Sequence, residues 1–326
     1  MRKILLLLCL IWLLSSCAFE AGLSAPVETE PLTAPVVSVT VPVAATSEAA
    51  VWDEAPVPPA GIVLHPVHSG MREQRCADAV IDYSHTEDGY LMACYTSKTE
   101  QRLKLRIYGP VTTYTYNLPV DMWTAFPLSD GDGAYQVAIY MNTHDSKYAL
   151  VMTTQFDVVL SDEFAPFLRP NQYVDYETAE QTVQMGAQLC AGLERPLEKV
   201  AAVYDFVVST LTYDTQRAAT VKSGYLPVLD QVLAEKKGIC FDYAALMTAM
   251  LRSQGIPCKL VVGYAGMTYH AWISVWTEEN GWIDGAIFFD GKTWVRMDPT
   301  FASSGERNAE IMDYIENGTY TAKYLY

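Results

Sequence analysis

The sequence is poor in positive charge. Its 326 residues contain 22 Lys and Arg against 38 Asp and Glu, which gives a net charge of −16 at pH 7. A protein that binds phosphate backbones needs clustered Lys and Arg, and no such run here exceeds two residues. We therefore expect no nucleic-acid partner.

Cysteines and long apolar runs are scarce as well. Seven cysteines in a chain of this length are too few for a disulfide-dense scaffold. No apolar stretch reaches the ~18 residues of a conventional membrane-spanning helix. Hydrophobic residues make up 50% of the chain and charged residues 18%, a balance typical of a folded globular protein rather than a disordered or coiled-coil one.

The N-terminus has the pattern of an export signal. Arg2 and Lys3 precede an apolar segment, residues 4–14, that is too short to span a bilayer. The tetrapeptide Leu-Ser-Ser-Cys that ends at Cys17 resembles the bacterial lipobox, in which the cysteine is acylated and becomes the first mature residue. We predict that residues 1–17 are a lipoprotein signal peptide and lipobox. The lipid on Cys17 would anchor an exported protein on the outer side of the cytoplasmic membrane, or in the outer membrane. A plain secretory signal with a chance cysteine is the alternative.

Composition divides the rest of the chain into three parts. Residues 18–61 hold seven of the 17 prolines and are predicted to form an extended linker. Residues 62–168 contain short segments of strand formers separated by turn signals, which predicts a β-sandwich-like domain. In residues 169–326 the apolar spacing is first helical and then alternating, which predicts a second domain of the α+β class.

Two weak metal signals occur in the first half of the chain. His65 and His68 have no carboxylate or thiolate cluster beside them in the sequence. The Asp-Gly-Asp-Gly run at 130–133 lacks the spacing and the terminal Glu of a calcium-binding EF-hand loop, and it favours a hairpin turn. We predict no metal and no cofactor.

A cysteine, a histidine and an aspartate follow one another on predicted elements of the second domain. Cys240 opens a run of helix formers that Gly255 closes, so the thiol lies at a helix N-terminus, where free N–H groups favour a thiolate and can donate to an oxyanion. His270 lies on a predicted strand, and Asp298 ends a later strand. Singly, these residues are more often a buried thiol, a core histidine and a turn aspartate. Together they can converge as nucleophile, base and orienting acid.

The runs around these three residues resemble the transglutaminase-like superfamily. They read G-I-C-F-D-Y-A-A-L at the helix start, G-I-P before a strand that ends V-G-Y, H-A-W on the next strand, and W-V-R-M-D-P-T on the last. The resemblance covers about residues 195–302. It implies a papain-like α+β core in which Cys240 is the nucleophile, His270 the general base and Asp298 the orienting acid. It also implies acyl transfer from protein or peptide amides through a Cys thioester, ending in transamidation, deamidation or proteolysis.

Two assignments stay open. The insert at 280–292 contains the rival carboxylates Asp284 and Asp290, neither of which stands in a D-P-T context. The side chain that completes the oxyanion site of the family is not identified, and Tyr213 and Tyr225 are the candidates.

The cysteine count leaves a further alternative open. Five cysteines remain once Cys9 leaves with the signal peptide and Cys17 carries lipid, so at least one thiol is unpaired within the monomer. Cys76 and Cys94 could pair across two strands, although nothing in the sequence requires it.

Two other functions fit parts of the pattern. A cell-wall amidase or endopeptidase also places Cys before His on a helix and then a strand, but it usually lacks the D-P-T strand. A non-catalytic surface protein with a vestigial triad would have the same sequence if its cleft were blocked. Our leading prediction is a cell-surface transglutaminase-like cysteine enzyme. Its partners would be protein or peptide substrates, including cell-wall-associated ones, and the membrane through its N-terminal lipid.

The lipid anchor is testable at one residue. We expect Cys17→Ala to abolish acylation, and to release the folded protein or leave an unprocessed precursor, because the acyl chains attach to that cysteine. Metabolic labelling with a fatty-acid analogue measures this. Label retained on the variant would place the lipid elsewhere.

Overall fold

The described part of the chain covers four segments of the computed structural model: residues 60–284, 287–289, 294–296 and 320–326, with side chains left out from 284 to 296. Cys17, Asp290 and Asp298 lie outside it. No helix in this part has both the length and the apolar character to cross a membrane. The same residues contain no group of His, Cys, Asp and Glu suited to hold a metal ion.

Eight strands in the first described segment form two antiparallel four-stranded sheets. Their bounds are β1 (Glu73–Arg75), β2 (Ala79–Asp82), β3 (Tyr90–Tyr95), β4 (Leu103–Tyr108), β5 (Thr113–Asn117), β6 (Thr124–Pro127), β7 (Gly133–His144) and β8 (Lys147–Val158). The strand orders are β1-β2-β3-β6 and β5-β4-β7-β8. In β4, buried Leu103, Leu105 and Ile107 alternate with more exposed residues, so one face of that sheet packs inward. The two sheets form the β-sandwich-like arrangement that the sequence predicts.

The sequence predicts β3 and β4 at their observed bounds and misses the short strands β1 and β6. The hairpin predicted at 130–133 is wrong, because the strands on either side, β6 and β7, belong to different sheets; the segment is a turn that connects the two sheets. The Asp130 carboxylate accepts hydrogen bonds from the N–H groups of Val111 and Thr112 and from the hydroxyl of Tyr114, so it fixes this loop against β5.

Helices and further strands follow residue 179. Their described bounds are α1 (Glu180–Leu189), α2 (Pro196–Thr210), β9 (Thr212–Tyr213), α3 (Thr215–Thr220), α4 (Leu229–Glu235), β10 (Lys237–Gly238), α5 (Cys240–Arg252), β11 (Cys258–Ala265), β12 (Thr268–Thr277), β13 (Gly281–Asp284), β14 (Ile287–Phe289), β15 (Trp294–Arg296) and β16 (Tyr320–Leu325). The fold is therefore of the mixed α+β class, as predicted. α2 begins at Pro196, whose missing N–H costs nothing in the first helical turn.

The helix α5 packs on an antiparallel sheet of order β13-β12-β11-β16. The Cys258 thiol lies 3.5 Å from the Thr248 hydroxyl of α5, which identifies the side of β11 that faces the helix. This sheet differs from the three strands that the sequence predicts. β13 and β16 are the outer strands, whereas β15, the start of the Asp298 segment, pairs with β14 in a separate ribbon. β13 comes from the insert, and β16 pairs over a long chain separation, so local sequence patterns reveal neither.

Aromatic rings join the β-rich and helical parts of the chain. Tyr114 and Tyr116 of β5 each lie 5.8 Å from Tyr326 between ring centroids, and Tyr173 stacks on Tyr326 at 3.9 Å. The described residues of both parts belong to one compact unit by their contacts. The domain boundary between 168 and 169 stays a prediction.

A buried guanidinium ties α5 to its surroundings. The Arg252 side chain, 1% exposed, donates to the carbonyl oxygens of Cys258 at 2.9 Å, Arg169 at 2.7 Å and Tyr326 at 2.6 Å. Burial lowers the pKa of this guanidinium from its ordinary value. The carbonyl dipoles stabilise its charge, so one side chain fixes the C-terminal end of the helix to β11 and to the segment that follows β16.

We expect Arg252→Met to lower the free energy of unfolding by about 3 kcal/mol, because three buried carbonyl groups lose their donor. The urea midpoint of unfolding measures this. Arg106→Met, on an exposed position of β4, is the matched control and should change stability by less than about 0.5 kcal/mol. Equal midpoints for the two variants would contradict the role assigned to Arg252.

Candidate active site

The chain turns into α5 at a closely packed corner. Ile239 is extended, and its N–H donates to the Asp242 carboxylate at 2.8 Å, so the acidic residue in the first turn caps the helix. A Cβ on Gly238 would lie 2.5 Å from the Asp242 Cβ, so only glycine fits there. The Asp214 N–H donates to the Gly238 carbonyl at 2.8 Å, within the parallel pairing of β9 and β10. These contacts make Cys240 the first residue of the helix.

The capping carboxylate belongs to a buried polar network. Asp242 is fully buried and accepts a 2.6 Å hydrogen bond from the Tyr225 hydroxyl, and the Arg217 guanidinium lies 3.6 Å from its other oxygen. Arg217 also donates to the Tyr225 hydroxyl at 3.3 Å. Burial raises the pKa of Asp242, and the bonds from Tyr225 and Ile239 act in the opposite direction. The network therefore stabilises a carboxylate in the first turn of the helix that begins at Cys240.

Of the two tyrosines considered for the oxyanion site, Tyr225 is committed elsewhere. Its hydroxyl donates to Asp242, and burial followed by this bond raises its pKa well above the ordinary value. Its observed role is to support the helix N-terminus. Tyr213 lies in β9 with its ring centroid 6.5 Å from that of Tyr243 in α5, and a role at the oxyanion site stays a prediction.

The described cysteines are all free thiols, and they occupy different environments. Cys94, Cys190 and Cys258 are buried, and burial raises the pKa of each, that of Cys258 to about 11. Cys76 is exposed and is not bonded to Cys94. Cys240 is half-buried at a helix N-terminus, the position that the sequence predicts for it.

His270 lies near the start of β12 and is buried. It pairs with Gly263 of β11, and its ring centroid is 6.4 Å from that of Trp272. A Cβ on Gly263 would clash with the Thr321 carbonyl oxygen and lie 2.9 Å from the Trp272 ring, so glycine lets β16 and Trp272 pack closely against this position. The imidazole is therefore buried beside Trp272.

Strand alternation separates two sides of β12. Cys258 faces α5 and pairs with Val275. Because side chains alternate along a strand, those of Ala271 and Tyr269 leave β12 on the same face as Val275, the face toward α5. The side chain of His270, the next residue after Tyr269, leaves β12 on the opposite face. The sequence predicts that the thiol and the imidazole meet at the helix–sheet junction, and their contact stays a prediction.

Of the three candidate carboxylates, only Asp284 belongs to a described strand. Asp298 and Asp290 lie outside the described residues. Asp284 lies on β13, opposite Ser274. That pair is four residues from His270 along β12, or ~13 Å by the rise of a strand. The assignment of Asp298 as the orienting acid stays a prediction.

Sequence reasoning missed the anchoring network. Asp242 is the third helical residue, which is the spacing of a capping carboxylate, so its role is recognisable from sequence alone. Arg217 gives no such signal, because its contacts with Asp242 come from a distant helix, α3.

The network predicts a loss of both stability and thiol reactivity in Tyr225→Phe. The variant leaves one oxygen of buried Asp242 without its donor, which costs about 1–3 kcal/mol, and loosens the first turn of α5. We expect a lower urea midpoint and slower alkylation of Cys240 by iodoacetamide. Tyr108→Phe, which removes a 3.0 Å hydroxyl contact between Tyr108 on β4 and Tyr140 on the neighbouring strand β7, is the matched control. A reactivity loss as large in the control would show that the network does not position the thiol.

Residues 183–299 match the family model described as the transglutaminase-like superfamily. Among curated relatives, a Pseudomonas aeruginosa protein-glutamine gamma-glutamyltransferase is 29% identical over 128 residues, which is 35% of this chain and 17% of that protein. An uncharacterised Mycobacterium leprae protein is 32% identical over 133 residues, 37% of this chain and 44% of the relative. The matches thus span less than half of either relative.

A solved structure is also similar. The periplasmic domain of TgpA from Pseudomonas aeruginosa aligns with a TM-score of 0.33 and 16% identity, over 74% of this chain and 80% of that one. The segment matched by the family model includes Cys240, His270 and Asp298 and agrees closely with the extent of the resemblance seen in the sequence. Over residues 183–299 the chain is therefore similar to the transglutaminase-like superfamily.

Proposed function

We propose that this protein is an exported, lipid-anchored cysteine enzyme that transfers acyl groups from protein or peptide amides through a thioester on Cys240. The observation that carries the proposal is the setting of that thiol. Cys240 is the first residue of α5 and is half-buried, whereas the other described cysteines are either buried or on the surface of the β-rich part. A buried network fixes the same helix turn.

The chemistry follows from this position. The Cys240 thiolate attacks the carbonyl carbon of a carboxamide, and the negative charge that develops on the carbonyl oxygen is stabilised by the free N–H groups of the first helix turn. The His270 imidazolium gives its proton to the departing nitrogen, and a thioester forms. An amine or a water molecule then displaces the sulfur, with His270 taking the proton of the acceptor. Asp298 would hold the imidazole in the required tautomer.

The substrate class and the location are supported by different observations. The relative in Pseudomonas aeruginosa that is called a protein-glutamine gamma-glutamyltransferase supports glutamine side chains as acyl donors. The export pattern and the cysteine at its end support a cell-surface location, with Cys17 lipidated and residues 18–61 as a spacer. Transamidation, deamidation and proteolysis share the thioester and differ in the acceptor.

The catalytic assignment predicts a non-additive pattern of losses. Cys240→Ala and His270→Ala should each abolish incorporation of a fluorescent primary amine into a glutamine peptide. The double variant should be no worse, because the two residues act as a unit. Ammonia release and peptide cleavage, measured in parallel, identify the acceptor. Cys76→Ala, at an exposed thiol of the β-rich part, is the control and should keep full activity.

The two carboxylates are separated by the same assay. Asp298→Asn should keep the fold and lower the rate by several powers of ten, since the amide presents the wrong partner to the imidazole. Asp284→Asn should leave the rate within a few-fold of the parent. The opposite result would make Asp284 the orienting acid, and activity that persists in Cys240→Ala would refute the proposed function.

A further inference from the structure

Three exposed side chains gather at the tip of the β11–β12 hairpin. Tyr264 is 40% exposed, Met267 98% and Tyr269 57%. We call this group the hairpin-tip surface. Removing such side chains from water is favourable, so three of them close together on the solvent-exposed surface are a candidate binding site.

The hairpin-tip surface is built on a tight turn. Ala265 pairs with Thr268, so Gly266 and Met267 alone form the loop. Gly266 has a φ of 57°, which a residue without a Cβ adopts at little cost. Tyr264 and Tyr269 are directly opposed across the strands, with ring centroids 5.5 Å apart and planes inclined at 68°. The three side chains are therefore displayed by a short, regular scaffold.

Strand and helix lengths place this surface in front of the nucleophile. Cys258 contacts Thr248, which is eight helix residues from Cys240, or ~12 Å along the axis. Tyr264 is six strand residues from Cys258, or ~20 Å, in the direction of the helix N-terminus. A strand that returned along the helix axis over this length would reach ~8 Å past the N-terminal start of α5, and Cys240 is among the groups that act on Tyr269. Tyr264 and Tyr269 start from the side that faces α5, so they project past the turn that carries the thiol.

The electrostatics agree with this geometry. Burial of part of the Tyr269 ring raises the pKa of its hydroxyl to about 12. The neighbouring groups that raise it further are Tyr324, Tyr173, Tyr264 and Cys240. Tyr269 thus lies within electrostatic reach of the nucleophile.

We propose that the hairpin-tip surface binds a large apolar or aromatic side chain adjacent to the reactive carboxamide of a polypeptide acyl donor. This inference rests on the proposed function and names the sequence preference of the same site. The inclined tyrosine rings form a corner in which an aromatic side chain can make edge-to-face contacts. Met267 supplies a flexible thioether that adapts to the side chain that enters. An extended peptide with its carboxamide at Cys240 passes over this corner within one or two residues.

Peptide binding to Cys240→Ser tests the inference without requiring turnover. Two labelled peptides would be compared by fluorescence anisotropy, identical except for Phe or Ala beside a single Gln. We expect the Phe peptide to bind about 10-fold more tightly, as burial of an aromatic side chain supports. Tyr264→Thr with Tyr269→Thr, which keeps strand-forming residues, should bring the ratio close to one.

A milder variant and a matched control distinguish a loss of peptide binding from a loss of folding. Met267→Ser changes an almost fully exposed side chain, so the fold should persist while the Phe/Ala ratio falls about 2–3-fold. Met71→Ser, at a 75% exposed methionine before β1, should leave the ratio unchanged. A ratio near one in the parent, or one that the hairpin variants do not alter, overturns the inference even if the enzyme turns over both peptides. If the Phe/Ala binding ratio is as expected but the protein with Cys240 intact turns over neither peptide, the proposed function is refuted while the binding surface stands.

Discussion

The burial of α5 is the constraint on which the helical half of the molecule depends. Every residue from Asp242 to Arg252 is buried, so the helix has no solvent-facing side. A buried helix must find partners for its terminal N–H and C=O groups within the protein, because water cannot supply them. The neighbouring helix α1 approaches so closely that a Cβ on Gly186 would lie 3.1 Å from the Met250 carbonyl oxygen. Close packing along the sides leaves the polar requirements to be met at the two ends.

The last carbonyl groups of α5 accept from the N–H groups of Ser253, Gln254 and Gly255. In addition, a charged side chain fixes each end of the helix to its surroundings. At the N-terminus, Asp242 accepts the Ile239 N–H and is held by Tyr225 and Arg217. At the C-terminus, Arg252 donates to three carbonyl groups. An acidic group at the start and a basic group at the end also match the helix dipole. This arrangement leaves the first residue as the place where the helix opens toward solvent, so a nucleophile there is rigidly placed and still accessible.

Local features of the fold and site were predictable from sequence, and long-range ones were not. The bounds of α5 follow from Gly238, the run of helix formers and the closing Gly255, which all lie in one short segment of the chain. The outer strands β13 and β16 were not predicted, because β13 lies in an insert and β16 pairs with β11 across a long stretch of chain. The role of Arg252 was not predictable from the sequence either, because its acceptors are backbone carbonyl groups, which every residue has. The side of β12 from which His270 starts depends on register, which only the sheet determines.

The late position of β16 has a consequence for how the molecule is made. β11 is hydrogen-bonded on one side by β12, which is a few residues away, and on the other by β16, which begins at Tyr320. A nascent chain that has emerged only as far as β12 therefore has β11 as an unpaired edge, and such edges invite pairing with other chains. Arg252 also lacks its acceptor on Tyr326 until that stage. The Cys240 helix thus acquires this support only after β16 and Tyr326 have been made, and contacts of such high sequence separation form slowly. Folding of the helix that carries Cys240 is in this way coupled to synthesis of the chain through β16 and Tyr326.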